Sequence, residues 1–207
     1  MWQPGGRVRG LLTATTHMVH AGRGIGLLIV AGLLSNPAGA QDAPRSQIRA
    51  FAGVMIPTGQ QAHDFASAPL LGGTLATQTG SHTMTIASLY WASTVNRFPG
   101  IRPRVHVVTW DIGLEVAGAP HTSAARTVPF GGIGLGARSY EYADDTLTSP
   151  SLISGYVAAG IEFRRGRPTL RVEVRDYTSA FRPPSGDKGS TRNDVTLMVG
   201  VAYGIMD

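Results

Sequence analysis

Cysteine is absent from the 207 residues, which excludes disulfides, zinc–thiolate sites and thiol nucleophiles. Its absence leaves the compartment open, because a sheet that closes on itself needs no covalent staple. Charge is scarce as well: Asp, Glu, Lys and Arg make up 15% of the chain, less than a water-exposed domain of ordinary composition carries. The apolar run "IGLLIVAGLL", Ile25 to Leu34, is about half the roughly 20 residues a helical membrane span requires. From residue 41 onward there is no amphipathic helical stretch of convincing length.

The basic pI, near 10.1, invites a nucleic-acid reading that the N-terminus weakens. Arg7, Arg9 and Arg23 precede residue 41 and no acid does, which leaves 15 basic against 13 acidic residues, a net charge of +2. The remaining arginines are dispersed through strand-like segments and do not line one helix face, so nucleic acid is not an expected partner.

Arg23, the short apolar run, and the small-x-small ending Ala38, Gly39 and Ala40 describe a cleavable signal peptide, cut after Ala40. Residues 1–40 are therefore read as the signal-peptide region and 41–207 as one exported domain. Met18 is the expected true start, since it gives a leader of ordinary length. The alternative, a buried core helix, is opposed by the run's glycines and the adjacent cleavage-like motif.

What the exported part does have is glycine, 27 in the whole chain, and period-two alternation. Eight strands are expected: Ile48–Pro57, about Leu70–Thr79, about His82–Ser93, Val105–Gly118, Val128–Tyr140, Ser154–Arg165, Leu170–Tyr177 and Asp194–Ile205. The fourth sets Val108, Trp110, Ile112, Leu114 and Val116 against Thr109, Asp111, Gly113 and Glu115. The seventh, "LRVEVRDY", sets Leu170, Val172 and Val174 against Arg171, Glu173 and Arg175. The odd-numbered links are long and rich in Gly, Pro, Ser and Asp. Of the even ones, Gly80–Ser81 and Arg165–Pro168 are tight, while Gly118–Ala125 is longer. Long loops alternating with short turns is the pattern of outer-membrane barrels.

Alternation alone does not say which face is wet. A soluble lipocalin-like binder would turn its apolar face inward around a ligand, and a membrane barrel would turn it toward lipid. The polar face decides for the second. Asp111, Glu115, Arg138, Glu162, Arg171, Glu173, Arg175 and Asp194 mix both signs and are interspersed with glycines, as a crowded eight-stranded lumen requires. These eight are the expected interior polar network. Trp110, Tyr203 and Phe163 are expected near the membrane interfaces.

The ending "GVAYGI", Gly200 to Ile205, is similar to the C-terminal signal read by the outer-membrane assembly machinery. "RVEVRDY" followed by "RNDVTLMVGVAYGI" resembles small OmpA-like outer-membrane β-barrel domains of Gram-negative bacteria, over roughly Ile48 to Ile205. That family usually ends on an aromatic residue, whereas here Met206 and Asp207 follow. The resemblance implies an all-β, eight-stranded antiparallel up-and-down transmembrane barrel in the cell outer membrane. It also implies lipid and the assembly machinery as partners, and a monomer.

Parity supplies a finer expectation. If the sixth and seventh strands are neighbours joined by a four-residue turn, Glu162 opposes Arg171 inside the barrel.

Chemistry is sparse. "GGIGLG", Gly131 to Gly136, is followed by strand-like "ARSYEY" where a dinucleotide site needs a helix, so its glycines are read as interior ones. His63, His82, His106 and His121 lack metal-ligand spacing, and Asp144–Asp145 has no further acidic ligands nearby, so no metal or cofactor is expected. A lipid-modifying enzyme would need a His and a Ser on the lipid-facing rim. Ser81 with His82, and His106 with Thr109, show no acidic orienter and point to opposite faces where strand neighbours. An open pore is not expected either, given the packed lumen. The expectation is a non-catalytic barrel with a structural or surface-interaction role through its extracellular loops.

Overall fold

In the computed structural model, residues 46–59, 61–97, 104–121, 124–143, 151–165, 168–181 and 190–205 are described. The signal peptide, the start at Met18 and the Asp144–Asp145 pair lie outside them.

Eight strands follow one another around a closed antiparallel barrel. They are β1 (Ser46–Thr58), β2 (Ala68–Gln78), β3 (Thr83–Val95), β4 (Arg104–Ala117), β5 (Thr127–Tyr142), β6 (Ser151–Phe163), β7 (Thr169–Phe181) and β8 (Ser190–Gly204). One helical turn, α1 (Gln61–Asp64), interrupts the β1–β2 link. Closure comes from β1 pairing with β8, from Gln47 opposite Gly204 to Thr58 opposite Asn193. Among the described residues no helix is long and apolar enough to cross a membrane. The shortest strand has 11 residues, enough for a tilted passage that takes about 9–11.

Local chemistry explains the edges. The β1–β2 ladder ends at Met55 opposite Ala68, and Pro57, with no N–H to donate, lies just beyond it while β1 still runs beside β8. Gly59 then takes a positive φ of 58°, which opens the link to α1. The longer β4–β5 link also has an explanation: it folds back against its neighbours. His121 N–H donates to the Ser81 carbonyl at 2.9 Å and Gly118 N–H to that of Pro129 at 2.8 Å. The Arg164 guanidinium donates to the Pro120 carbonyl at 3.1 Å.

The faces sort as a membrane barrel. Leu135 and Ile153 are 70% and 82% exposed, and Val172, Leu197, Val199 and Leu114 also lie outside. Arg171, Glu173 and Arg175 are buried within. A lipocalin-like binder has the reverse arrangement. Trp110 differs from expectation: it is mid-strand, opposite Leu89 and Ala137, so it lies within the apolar belt and not at an interface. The outer face near the loop end carries Trp91, stacked on His106 with ring centroids 5.5 Å apart.

Interior glycines make room, but chiefly for aromatic rings and less for the long charged chains expected. Tyr156 lies over Gly113 and Gly134, Phe130 over Gly160, and Phe51 over Gly200.

Candidate functional site: the charged interior

Among the described residues the lumen holds five buried arginines, Arg49, Arg138, Arg171, Arg175 and Arg192, and five buried carboxylates, Asp111, Glu115, Glu162, Glu173 and Asp194. Their formal charges cancel. A neutral set is what a low-dielectric interior tolerates, because each charge taken from water needs an opposite partner and hydrogen bonds to offset desolvation. Alternation places them: every one sits on the strand face opposite the outward Val, Leu and Ile residues.

Toward the short-turn end, Glu115 on β4 is shared by two arginines. Arg49 grips it in a fork, Nη1 to Oε2 at 3.0 Å and Nη2 to Oε1 at 3.1 Å. Arg171 donates to the same carboxylate from Nη2 at 2.7 Å and Nη1 at 3.3 Å. Arg171 also pairs with Glu162 and, at 3.3 Å, with Glu173, while its guanidinium lies 3.8 Å over the Phe130 ring. Glu162 stands opposite Arg171 in the β6–β7 ladder. Arg164 closes the end by donating to Glu162 at 2.9 Å.

Mid-barrel, Arg175 pairs with Glu173 and reaches Asp111 at 3.1 Å. The Tyr177 hydroxyl donates to Asp111 at 2.8 Å. Arg175 is also faced by the rings of Tyr156 at 4.5 Å and Tyr90 at 5.1 Å, contacts that favour a planar cation over an ammonium.

Toward the loop end, Arg138 pairs with Asp194 and donates to Thr109 at 3.0 Å. Above it α1 dips into the mouth. Gln61 is buried, its amide donating to the Tyr140 hydroxyl at 3.4 Å, and Phe65 stacks on Tyr140 at 5.9 Å. Arg192 reaches Asp64 at 3.4 Å and lies 5.1 Å from the Phe65 ring. The lumen is thus occupied along its length and capped at the loop end.

No protein-family model matches the chain, and no curated protein sequence matches it. Solved structures do. The chain is similar to Neisserial surface protein A (NspA), with a TM-score of 0.58 and 10% identity over 77% of this chain and 97% of that one. It is also similar to the outer membrane protein OprG from Pseudomonas aeruginosa, with a TM-score of 0.55 and 11% identity over 81% and 98% of the two chains. At these identities the likeness is one of fold. The fold is that of an outer-membrane β-barrel.

The eight expected interior residues are all buried and fall into three groups: Glu115 with Glu162 and Arg171, Asp111 with Glu173 and Arg175, and Arg138 with Asp194. Arg171 and Glu173 join the first two groups. Sequence reasoning missed Arg49, although the alternation of β1 already placed it opposite Ile48. It also missed the aromatic partners Tyr156 and Tyr177, whose face was legible, Tyr90, on a strand whose two faces are poorly differentiated in sequence, and Arg192, which lies before the start of the expected eighth strand. The α1 cap had no signal in period-two patterning.

His82 and His121 are at the turn end, where His82 Nδ1 lies 3.0 Å from the Ala117 carbonyl oxygen. Thr109 points inward to Arg138, and His106 points outward. Among the described residues no group of His, Cys, Asp or Glu is arranged to hold a metal.

Proposed function

We propose that this protein is a non-conducting outer-membrane barrel of the small OmpA-like kind, acting at its surface through the extracellular loops. The observation that carries this is the filled lumen: among the described residues four arginines and five carboxylates are joined in ion pairs along the axis, Arg192 reaches Asp64 of α1, and α1 caps the mouth. Among the described residues every buried carboxylate has an arginine partner, so none of them stands ready for catalysis or transport inside. The protein meets lipid through its apolar belt, is inserted by the assembly machinery through β8, and works as a monomer.

The test is conductance of the refolded chain in planar bilayers, with folding checked by the heat-modifiable gel shift of a closed barrel. The expected result is a shifted, folded band with no discrete conductance steps. Reproducible steps from the folded protein would overturn the reading.

A further inference from the structure

The outer face near the loop end carries a row of three side chains that the interior does not explain. Ser93 on β3 stands opposite His106 on β4, and His106 stands opposite Glu141 on β5. Opposed residues in antiparallel ladders have Cβ atoms about 4.5–5.5 Å apart, so each is within side-chain reach of the next. Their strand neighbours Ala92, Thr94, Val105, Val107, Tyr140 and Tyr142 are buried in the lumen, so the three project outward. The order is hydroxyl, imidazole, carboxylate, with the histidine in the middle.

We propose that Ser93, His106 and Glu141 form an acyl-ester hydrolase site on the lipid-facing wall, acting on ester-linked acyl chains of an outer-leaflet lipid. This goes beyond the non-conducting surface role. It departs from the expectation of a non-catalytic barrel, which was drawn without the register that sets Glu141 opposite His106.

Three observations support the assignment. Trp91, on the same face as Ser93, stacks on the imidazole at an interplanar angle of 21°, which fixes the ring plane. His106 Nδ1 is buried and has no hydrogen-bond partner, so this ring nitrogen is free for the Glu141 carboxylate, opposite it in the ladder, to take once substrate is bound. Among the described residues it is also the sole histidine on the outward face of the strands.

Depth completes the argument. The same face two to three rows further in is apolar, with Trp110, Leu89, Ile112 and Leu135, the row between sets Val108 beside Trp91 and Ser139, and one row outward the exposed Arg104 begins β4. The row therefore lies at the boundary of hydrocarbon and headgroup, where acyl esters sit, with a cation placed for a lipid phosphate.

The steps balance without a cofactor. Ser93 Oγ attacks the ester carbonyl carbon and its proton passes to His106, which Glu141 orients. The ester C–O bond breaks and the leaving alkoxide takes the proton from His106. Water then attacks the acyl-serine, giving its proton to His106; the acyl–Oγ bond breaks, fatty acid leaves and Ser93 recovers its hydrogen. The net reaction is ester plus water to fatty acid plus alcohol.

The experiment uses the exported chain folded into vesicles, with the gel shift confirming a closed barrel. One set contains diacyl phosphatidylglycerol, a second contains lipopolysaccharide, and a third contains an ether-linked phosphatidylglycerol. Released fatty acid is measured by mass spectrometry, and a fluorophosphonate probe is mapped by peptide mass spectrometry. Release from one or both ester lipids and none from the ether lipid is expected, with the probe on Ser93. S93A and H106A should lower the rate by about 1,000-fold or more, and E141Q by about 100-fold or more, each with the gel shift intact. The lipid that reacts identifies the source of the ester. Absence of release from both ester lipids by folded protein would overturn the proposal, as would release that persists in S93A. A folded barrel that neither conducts nor hydrolyses would leave the surface role standing while removing this one.

Discussion

The ring of Phe130 fills the space where Gly160 has no side chain: a Cβ added to Gly160 would overlap the Phe130 ring and the Val172 carbonyl oxygen. The two residues face each other across the β5–β6 ladder. The ring in turn carries the Arg171 guanidinium 3.8 Å above it, so a glycine on β6 indirectly positions the centre of the ionic network. Gly160→Ala is expected to lower stability by about 1–3 kcal/mol through overpacking. Phe130→Leu on that background should recover part of the loss, the backbone clash keeping recovery incomplete. Urea unfolding in vesicles, followed by tryptophan fluorescence, measures both. A Gly160→Ala protein as stable as the parent would show that the ring moves aside freely.

Glu115 is the hinge between two arginines, and its removal leaves Arg49 and part of Arg171 without their acid. Breaking a buried pair from one side typically costs about 3–5 kcal/mol, so Glu115→Ala is expected near that range. Glu115→Ala with Arg49→Ala together should lose less than the sum of the singles, because the second change removes the stranded charge. Strictly additive losses would mean that the two side chains do not interact in the bilayer.

Much of this was legible in the chain because a sheet's side-chain period is two and a barrel's inside is chemically unlike its outside. The charged residues of β4 and β7 could be sorted by parity alone, and Glu162 opposite Arg171 follows from a turn length. What parity does not carry is distance across the lumen. That Arg49 from β1 meets Glu115 from β4, or that Arg175 from β7 meets Asp111 from β4, depends on closure. The row from Ser93 to Glu141 spans three strands joined by links of unequal length, so its register was invisible to a reading of single strands. β5 also runs two residues beyond its expected end at Tyr140, and Glu141 lies in that extension.

Asp176 breaks the outer pattern. It points to the lipid side of β7, opposite Val157 and Val195, and its Oδ1 is buried without a hydrogen-bond partner. A carboxylate on the lipid face destabilises a barrel by an amount that depends on depth, less for acids than for Lys or Arg. Asp176→Val is therefore expected to raise stability by about 1 kcal/mol, read as a higher urea midpoint with unchanged slope. A lower midpoint would show that the carboxylate has a partner in the membrane, such as a lipid headgroup, and that its position is selected.

His121, in the β4–β5 link outside the strands, gives a pH dependence with a definite sign. Half-burial disfavours its charged form and the nearby Arg164 guanidinium adds to this, outweighing the pull of Glu162 and Glu115, so its folded pKa lies below the ordinary 6.5. The folded state therefore holds the imidazole neutral where the unfolded chain would protonate it. The stability associated with that difference is fully present above about pH 6.5 and falls away as pH drops through the lowered folded value. The informative quantity is the difference between wild type and His121→Gln, which isolates this one imidazole. That difference should be flat from pH 8 to about pH 7 and then shift against the wild type as pH falls toward 5. An Arg164→Gln protein should show a weaker dependence, since one cause of the lowered pKa is gone. If wild type and His121→Gln kept a constant gap across the whole range, the imidazole would have to be as free to protonate in the barrel as in the unfolded chain.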